Sequence, residues 1–219
     1  MRIYLHLTPN TEPVPFNYQQ NLVGAFHKWL GENELHDDIS LYSLSWLAHG
    51  HRRGQFLDFP GGSIFQISSP SDDLLASLLQ GVVAGHQIAW GMEVYEITIQ
   101  RTPNFGTKRR FLVQSPVLVK KKRENAKHHQ YYYPGDPEAD SIMTHILRRK
   151  LEKAGLNADV EVFFDKQYDK VDIRKITYKG IDIKASICPV IVSGDPKALQ
   201  FAWEVGVGNS TGIGFGALK

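Results

Sequence analysis

The sequence predicts an α+β protein with antiparallel sheets, and three features of its 219 residues support this fold class. Short segments alternate apolar and polar residues as half-buried strands do, beginning with residues 1–7. Longer segments repeat apolar residues at helical spacing, as at 16–30. In the first half these elements follow the order strand, helix, strand, strand, helix, strand, which is the ferredoxin-like (RRM-like) pattern, and the second half resembles an elaborated form of it. We therefore expect two such domains in tandem, at 1–103 and 104–219, each with helices on one face of its sheet.

Six elements are predicted in the first half. They are a strand at 1–7, a helix at 16–30, strands at 41–48 and 63–68, a helix with its apolar face at 74–83, and a strand at 93–100. Gly31 is suited to the C′ position that ends the first helix. Ser69 is expected to cap the second helix and Pro70 to be its first residue.

The second half resembles an elaborated form of this order, with three strands between its two helices. Its elements are a strand at 110–122 broken at Ser115-Pro116, a helix around 142–151, strands at 160–164, 171–178 and 181–192, a short helix at 197–205 and a strand at 213–218. Gly155 is expected to end the long helix, and the pair Lys179-Gly180 to form a hairpin turn. Residues 148–150 (Arg-Arg-Lys) are expected on or near the exposed side of the long helix.

Composition excludes several classes of protein. The longest apolar runs are too short to span a bilayer, and the first residues alternate like a strand and not like a signal peptide. Cys188 is the single cysteine, so neither an internal disulfide nor a thiolate metal cluster is expected. His49 and His51 could hold a metal, but no third ligand is near them in sequence. A cytoplasmic protein without membrane, metal or cofactor is the expectation.

Charge is distributed unevenly along the chain, although the net charge is only +2. Residues 1–100 carry 4 Lys/Arg and 10 Asp/Glu, a balance of −6, whereas residues 101–150 carry 12 and 4, a balance of +8. Such an excess is typical of a protein that binds a polyanion, although a solvated basic loop is the alternative. The densest basic run, Lys120, Lys121, Lys122 and Arg123, precedes three tyrosines at 131–133, which suits phosphate contacts with base stacking.

A glycine-rich run near the C-terminus, residues 206–216, is the feature around which the rest is organised. Its glycines and small polar residues are Gly206, Gly208, Asn209, Ser210, Thr211, Gly212, Gly214 and Gly216. Glycine allows a positive φ or a close approach of another chain, and aligned N–H groups form a nest that favours anions. A phosphate-contacting loop and a hairpin that closes the last strand remain open as interpretations. No Lys-Ser or Lys-Thr pair follows, which excludes a P-loop.

Two histidines could share a site. His27 falls on the edge of the apolar stripe of the first helix, and His36 follows nine residues later. On one continuous helix they would lie on opposite faces. They can meet only if the helix stops near Gly31 and the following residues fold back.

The chain resembles the CRISPR-associated endoribonucleases of the RAMP superfamily, which cut the repeats of precursor guide RNA. The resemblance rests on the glycine-rich run 206–216 and on three stretches that agree in order and spacing. They are Val14-Pro15-Phe16-Asn17-Tyr18, Leu35-His36-Asp37 and Phe111-Leu112-Val113-Gln114-Ser115-Pro116. The resemblance covers essentially the whole chain.

The resemblance implies metal-independent cleavage by a ribose 2′-OH, which leaves a 2′,3′-cyclic phosphate and a 5′-OH. His36 then stands where the family carries its usual catalytic histidine, and His27 where relatives carry a tyrosine or a histidine. Some relatives have a lysine where this chain has Ser40, so the charge-stabilising cation is unassigned. The candidates are Lys28, Arg52 and Arg53.

The resemblance also implies the partners. CRISPR repeat RNA, both precursor and mature guide, is the expected ligand, held by the glycine-rich run and by residues 120–123. Other effector subunits and a second copy of the chain are further partners that it allows. A non-catalytic guide-RNA-binding subunit of an effector complex is the alternative function.

Overall fold

The computed structural model describes residues 1–31, 39–122 and 129–219. The helices in these ranges are α1 Gln19–Leu30, α2 Asp72–Ala84, α3 Pro137–Lys153 and α4 Pro196–Val205, followed by a 3₁₀ turn at Thr211–Ile213. The strands are β1 Arg2–Leu7, β2 Val14–Pro15, β3 Ser43–Leu44, β4 His51–Arg53, β5 Phe56–Asp58, β6 Ser63–Ser68, β7 Val94–Gln100, β8 Lys108–Phe111, β9 Val119–Lys122, β10 His129–Tyr132, β11 Val160–Phe164, β12 Asp172–Tyr178, β13 Ile181–Ile187 and β14 Val190–Gly194.

The first half forms a four-stranded antiparallel sheet in the order β3-β6-β1-β7. Strand β1 lies between β6 and β7, with Leu5 opposite both Phe65 and Ile97. The apolar side chains of β1 share one core with those of α1 and α2. This is the ferredoxin-like arrangement that the element order predicted, with both helices on one face of the sheet.

The second half builds the same arrangement from shorter strands. Its sheet has the order β11-β14-β8, and Leu218 forms a bridge with Val113 beside β8. Helices α3 and α4 supply the main apolar contacts of this core. Two hairpins, β9–β10 and β12–β13, are insertions, and the second turns at Lys179 and Gly180 with φ of 48° and 78°, as predicted.

The edge of β11 is covered by side chains from one face of α3. Thr144 Oγ1 donates to Val162 O (3.1 Å) and accepts from Val162 N (2.9 Å). Asp140 accepts from Phe164 N, and Arg148 donates to Val160 O. These three α3 residues are four apart and therefore share a face of the helix. Their contacts occupy edge groups of β11 that could otherwise pair with another strand.

Arg2 joins the two halves. Arg2 alternates with the apolar residues of β1, yet the structure buries it against α4. Its guanidinium lies 3.5 Å from the centre of the Trp203 ring and donates to Trp203 O (3.0 Å) and Leu218 O (2.7 Å). Burial lowers the pKa of Arg2 to about 10.

Several predicted boundaries were wrong. The second helix begins at Asp72 with Ser71 as its cap, because Ser71 Oγ accepts from Leu74 N. The strand expected at 41–48 is reduced to Ser43–Leu44. The strand expected at 181–192 divides into β13 and β14, which separate at Cys188 and Pro189. The boundary at residue 103 stays a prediction.

Two glycines inside helices should respond in opposite ways to substitution by alanine. A Cβ on Gly81 of α2 would lie 1.8 Å from Trp29 O of α1, whereas Gly24 of α1 has open space around it. We expect Gly24→Ala to raise the free energy of unfolding by up to about 1 kcal/mol, the helix propensity difference. Gly81→Ala should lower it by roughly 1–3 kcal/mol through overpacking. Urea unfolding measures both, and equal stabilisation by the two variants would contradict the close packing of α1 on α2.

Candidate functional site

The glycine-rich run 206–216 is largely buried, and its two ends run side by side. Val207 N donates to Gly216 O (3.0 Å), and Gly216 N donates to Pro116 O (2.8 Å). A Cβ on Gly216 would lie 1.9 Å from Val207 O, and one on Gly208 would lie 2.5 Å from Leu118 O. These glycines therefore allow the protein's own backbone segments to approach closely.

The strand expected at 213–218 was wrong, since the centre of the run is a 3₁₀ turn. Ser210 enters the turn with φ of 61°, and Gly214 leaves it with φ of 90°. Ile213 N donates to Ser210 O and Gly214 N to Thr211 O, which leaves the N–H groups of Thr211 and Gly212 outside the hydrogen bonds of the turn itself. Such a turn can offer N–H groups to an anion.

A cavity of about 330 Å³ lies against this turn. Its wall includes residues 208–213, Ile39 and Ser40 from the chain before β3, and Ile146 and Lys150 from α3. Three parts of the chain that are distant in sequence therefore meet here. A Cβ on Gly212 would lie 2.4 Å from Ser40 Oγ, so a larger residue at this position would displace the Ser40 side chain.

Tyr42 lies beneath the turn and connects it to α1. Its backbone carbonyl accepts from Thr211 Oγ1 (2.9 Å), and its ring stacks on Phe26 with centroids 4.8 Å apart. Its hydroxyl lies close to Gly212, since a Cβ there would be 2.9 Å from it. Burial raises the pKa of Tyr42, while a hydrogen bond with Ser40 opposes that change.

His27 belongs to the same side of α1. It is half-buried, and its ring meets Phe26 edge-on with centroids 5.2 Å apart. Through Phe26 and Tyr42 it is linked by packing to the glycine-rich turn. Helix α1 ends at Gly31, which has φ of 69° and donates to His27 O (3.1 Å), as the sequence predicted. His36 lies outside the described residues.

The basic run is joined to the glycine-rich run by Asn209. Asn209 N donates to Leu118 O (2.7 Å), and Asn209 Oδ1 accepts from Lys120 N (2.8 Å). Lys120 is half-buried, which lowers its pKa, whereas Lys121 and Lys122 are exposed on β9. Arg123 lies outside the described residues. The structure thus brings residues 120–122 next to the glycine-rich run that contains the 3₁₀ turn.

Lys150 was predicted on or near the exposed side of α3, and this was wrong. It is 3% exposed and donates to Val205 O (3.1 Å) and Thr211 Oγ1 (2.8 Å). Burial lowers its pKa to about 7. A signal was present in the sequence, because Lys150 follows Met143 and Leu147 at the spacing of the apolar face.

The three candidates for the charge-stabilising cation, Lys28, Arg52 and Arg53, are all exposed. The Arg52 guanidinium lies over the Phe16 ring, 5.6 Å from its centre.

Within the described ranges, no three His, Cys, Asp or Glu side chains come together as metal ligands. Among the same residues, no helix is both long and apolar enough to cross a membrane.

The close contacts of the run predict that Gly216 is required for folding. Gly216→Ala should lower the free energy of unfolding by roughly 2–5 kcal/mol, because it combines a strained φ with a clash against Val207 O. Gly214→Ala is the matched control, since its φ is also positive but its nearest neighbour, Trp46, is 3.7 Å away. It should cost only about 1–2 kcal/mol. Equal effects in thermal unfolding would contradict the packing described above.

A sequence model of the family described as CRISPR associated protein Cas6, C-terminal, matches residues 100–219. The product of a Cas6-related gene from Pyrococcus furiosus is similar in structure, with 20% identity, a TM-score of 0.88 and coverage of 100% of this chain and 97% of that one. A RAMP protein described as binding different RNA substrates is also similar, with 20% identity, a TM-score of 0.87 and coverage of 100% of this chain and 98% of that one. Cas6 from Thermus thermophilus has 15% identity, a TM-score of 0.60 and coverage of 99% of this chain and 96% of that one.

No curated protein matches the chain. The similarity to these solved structures extends over essentially their whole length, and it supports the tandem ferredoxin-like fold. The family match covers 120 of the 219 residues, which is more than half. The chain therefore belongs to the Cas6 family of CRISPR-associated proteins.

Proposed function

We propose that this protein is a metal-independent endoribonuclease that cleaves CRISPR repeat RNA and so produces mature guide RNA. The observation that carries the proposal is the meeting of three segments at one cavity: the glycine-rich turn, the residues before β3, and α3. His36 stands three residues before Ile39 in the sequence, and Ile39 is part of the cavity wall. The packing of His27 through Phe26 and Tyr42 connects the second histidine to the same turn.

The proposed reaction is a transesterification within the RNA. The 2′-oxygen forms a bond to phosphorus as the bond from phosphorus to the 5′-oxygen breaks. One imidazole accepts the proton of the 2′-OH, and an imidazolium gives a proton to the departing 5′-oxygen. Histidine suits both steps because its ordinary pKa of about 6.5 makes both protonation states available near neutrality. His36 and His27 are the proposed pair.

Binding is proposed to use the glycine-rich turn and the basic strand beside it. The N–H groups of Thr211 and Gly212, with the hydroxyls of Ser210 and Ser40, suit contacts to phosphate oxygens. Lys121 and Lys122 extend the positive surface, and Asn209 fixes their strand to the turn. The buried glycines at 206, 208 and 216 support the turn, so their contribution to RNA affinity is proposed to be indirect.

A non-catalytic subunit that only holds guide RNA would use the same binding surface. The two functions differ in the histidines, which binding alone does not need. Association with other effector subunits or with a second copy stays a prediction.

Replacement of the histidines separates the two functions. We expect His36→Ala to lower the cleavage rate by ~10²–10⁴ and to leave RNA affinity nearly unchanged, because one positioned acid or base contributes that much to proton transfer. His27→Ala should slow cleavage by a similar or smaller factor. Single-turnover cleavage of labelled repeat RNA in EDTA measures the rate, and a filter-binding assay measures affinity.

His51→Ala is the matched control, because His51 lies exposed on β4, outside the wall of the cavity. It should cleave at the wild-type rate. A wild-type rate in His36→Ala would rule out the proposed acid–base pair. Binding without cleavage by the wild-type protein would favour the non-catalytic function.

A further inference from the structure

Lys150 is a buried cation that the proposed chemistry does not use. It lies on α3 between Leu147 and Leu151, which are fully buried in the core of the second half. Lysine is almost never fully buried unless it is paired, because burial removes the hydration of its charge. A lysine at this position therefore needs compensation from its surroundings.

The contacts of Lys150 join the two ends of the loop that leads into the glycine-rich turn. Its Nζ donates to Val205 O, at the last residue of α4, and to Thr211 Oγ1, at the first residue of the turn. Thr211 Oγ1 in turn donates to Tyr42 O (2.9 Å). One ammonium group thus fixes α4, the turn and the segment beneath it in a single arrangement.

The partners of Lys150 in the described residues are neutral oxygens. A carbonyl and a hydroxyl compensate an ammonium less well than a carboxylate does, and burial lowers the pKa of Lys150 to about 7. An apolar side chain of similar length would fill the same space without the cost of a buried charge. A cation at this point is favourable when an anion lies nearby.

The cavity against the turn is where an anion could lie. Lys150 is part of its wall, together with Ser40 and residues 208–213. The ammonium carries three hydrogens, and the two contacts above use two of them. The turn, Ser40 and Lys150 therefore border one space, and each of them carries hydrogen-bond donors.

We propose that Lys150 is a positioning residue of a phosphate subsite: it holds the glycine-rich turn in its RNA-binding shape and supplies positive charge to a backbone phosphate of the RNA in the cavity. This inference rests on the proposed function. Lys150 is not assigned a proton transfer.

Two substitutions separate the charge of Lys150 from its shape. Lys150→Met keeps the length of the side chain without charge, and Lys150→Gln keeps hydrogen-bond donors without charge. The probe is repeat RNA with a 2′-deoxy nucleotide before the scissile phosphate, so that only binding is measured. We expect both variants to bind about 10- to 100-fold more weakly, the range for a lost charge-assisted hydrogen bond.

Arg149→Met is the matched control, because Arg149 is the exposed neighbour on α3 and loses the same unit of charge. It should stay within about threefold of the wild type, as one exposed phosphate contact at most is lost. Melting temperatures are measured for every variant, and affinity is measured well below each. A folded Lys150→Met or Lys150→Gln protein with wild-type affinity would overturn the inference.

A measurement on the wild-type protein tests the charge directly, whatever the variants do to folding. The pKa of Lys150, followed by NMR of its side chain, should be higher in the complex with the same RNA than in the free protein, because a nearby phosphate favours the ammonium form. An unchanged pKa in the bound state would overturn the inference while leaving the proposed function intact. Failure of the wild-type protein to bind the RNA would instead overturn the proposed function, and this inference with it.

Discussion

The fit of the glycine-rich run between other backbone segments is the constraint on which the rest of the structure depends. Near its start, Val207 N donates a hydrogen bond to Gly216 O near its end. Between them, Asn209 N donates to Leu118 O. Trp46 of the first half donates to Gly214 O (2.7 Å). These contacts connect both halves to one short segment. Side chains at the glycine positions would prevent several of them, so the run is first an element of the fold.

The same constraint determines where the basic strand β9 and the cavity lie relative to the turn. Because the run is anchored, the turn at Thr211–Ile213 has a fixed place beside the residues before β3 and beside α3. Asn209 holds the basic strand β9 next to the turn. The positive charge of β9 contrasts with the first half of the chain, which is acidic overall. A polyanion bound to β9 would lie beside the turn, and the cavity there is lined by Ile39 and Ser40, which follow the proposed His36 in the sequence.

The sequence predicted helices α1 to α4 and the main core strands because each has a strong local pattern, but it did not predict the short strands β2, β4, β5 and β10. The alternation in residues 1–7 and the helical spacing in α1 and α3 arise from burial of one face, and the positive φ of Lys179 and Gly180 follows from turn chemistry. The position of His27 at the edge of the apolar stripe agrees with its half-buried state. These features need no knowledge of the partner segments.

What the sequence did not predict depends on contacts between distant segments. Residues 213–218 alternate like a strand, but packing against Val207 and Pro116 makes them a turn followed by a single bridge at Leu218. Lys150 has the charge of a surface residue, and its burial becomes evident only when α4 and the turn are packed against α3. The glycines could equally have faced RNA, and only the opposing backbone shows that several face the protein.

The central claim is that the RNA itself supplies the nucleophile at a site organised by the glycine-rich turn. The most direct test is incubation of repeat RNA with the protein in EDTA, using substrate with a ribose or a 2′-deoxyribose immediately 5′ of the scissile phosphate. We expect the ribose substrate to be cut to a 2′,3′-cyclic phosphate and a 5′-OH, and the deoxy substrate to be bound but left intact. Cleavage of the deoxy substrate, or products that carry 3′-OH ends, would contradict the claim.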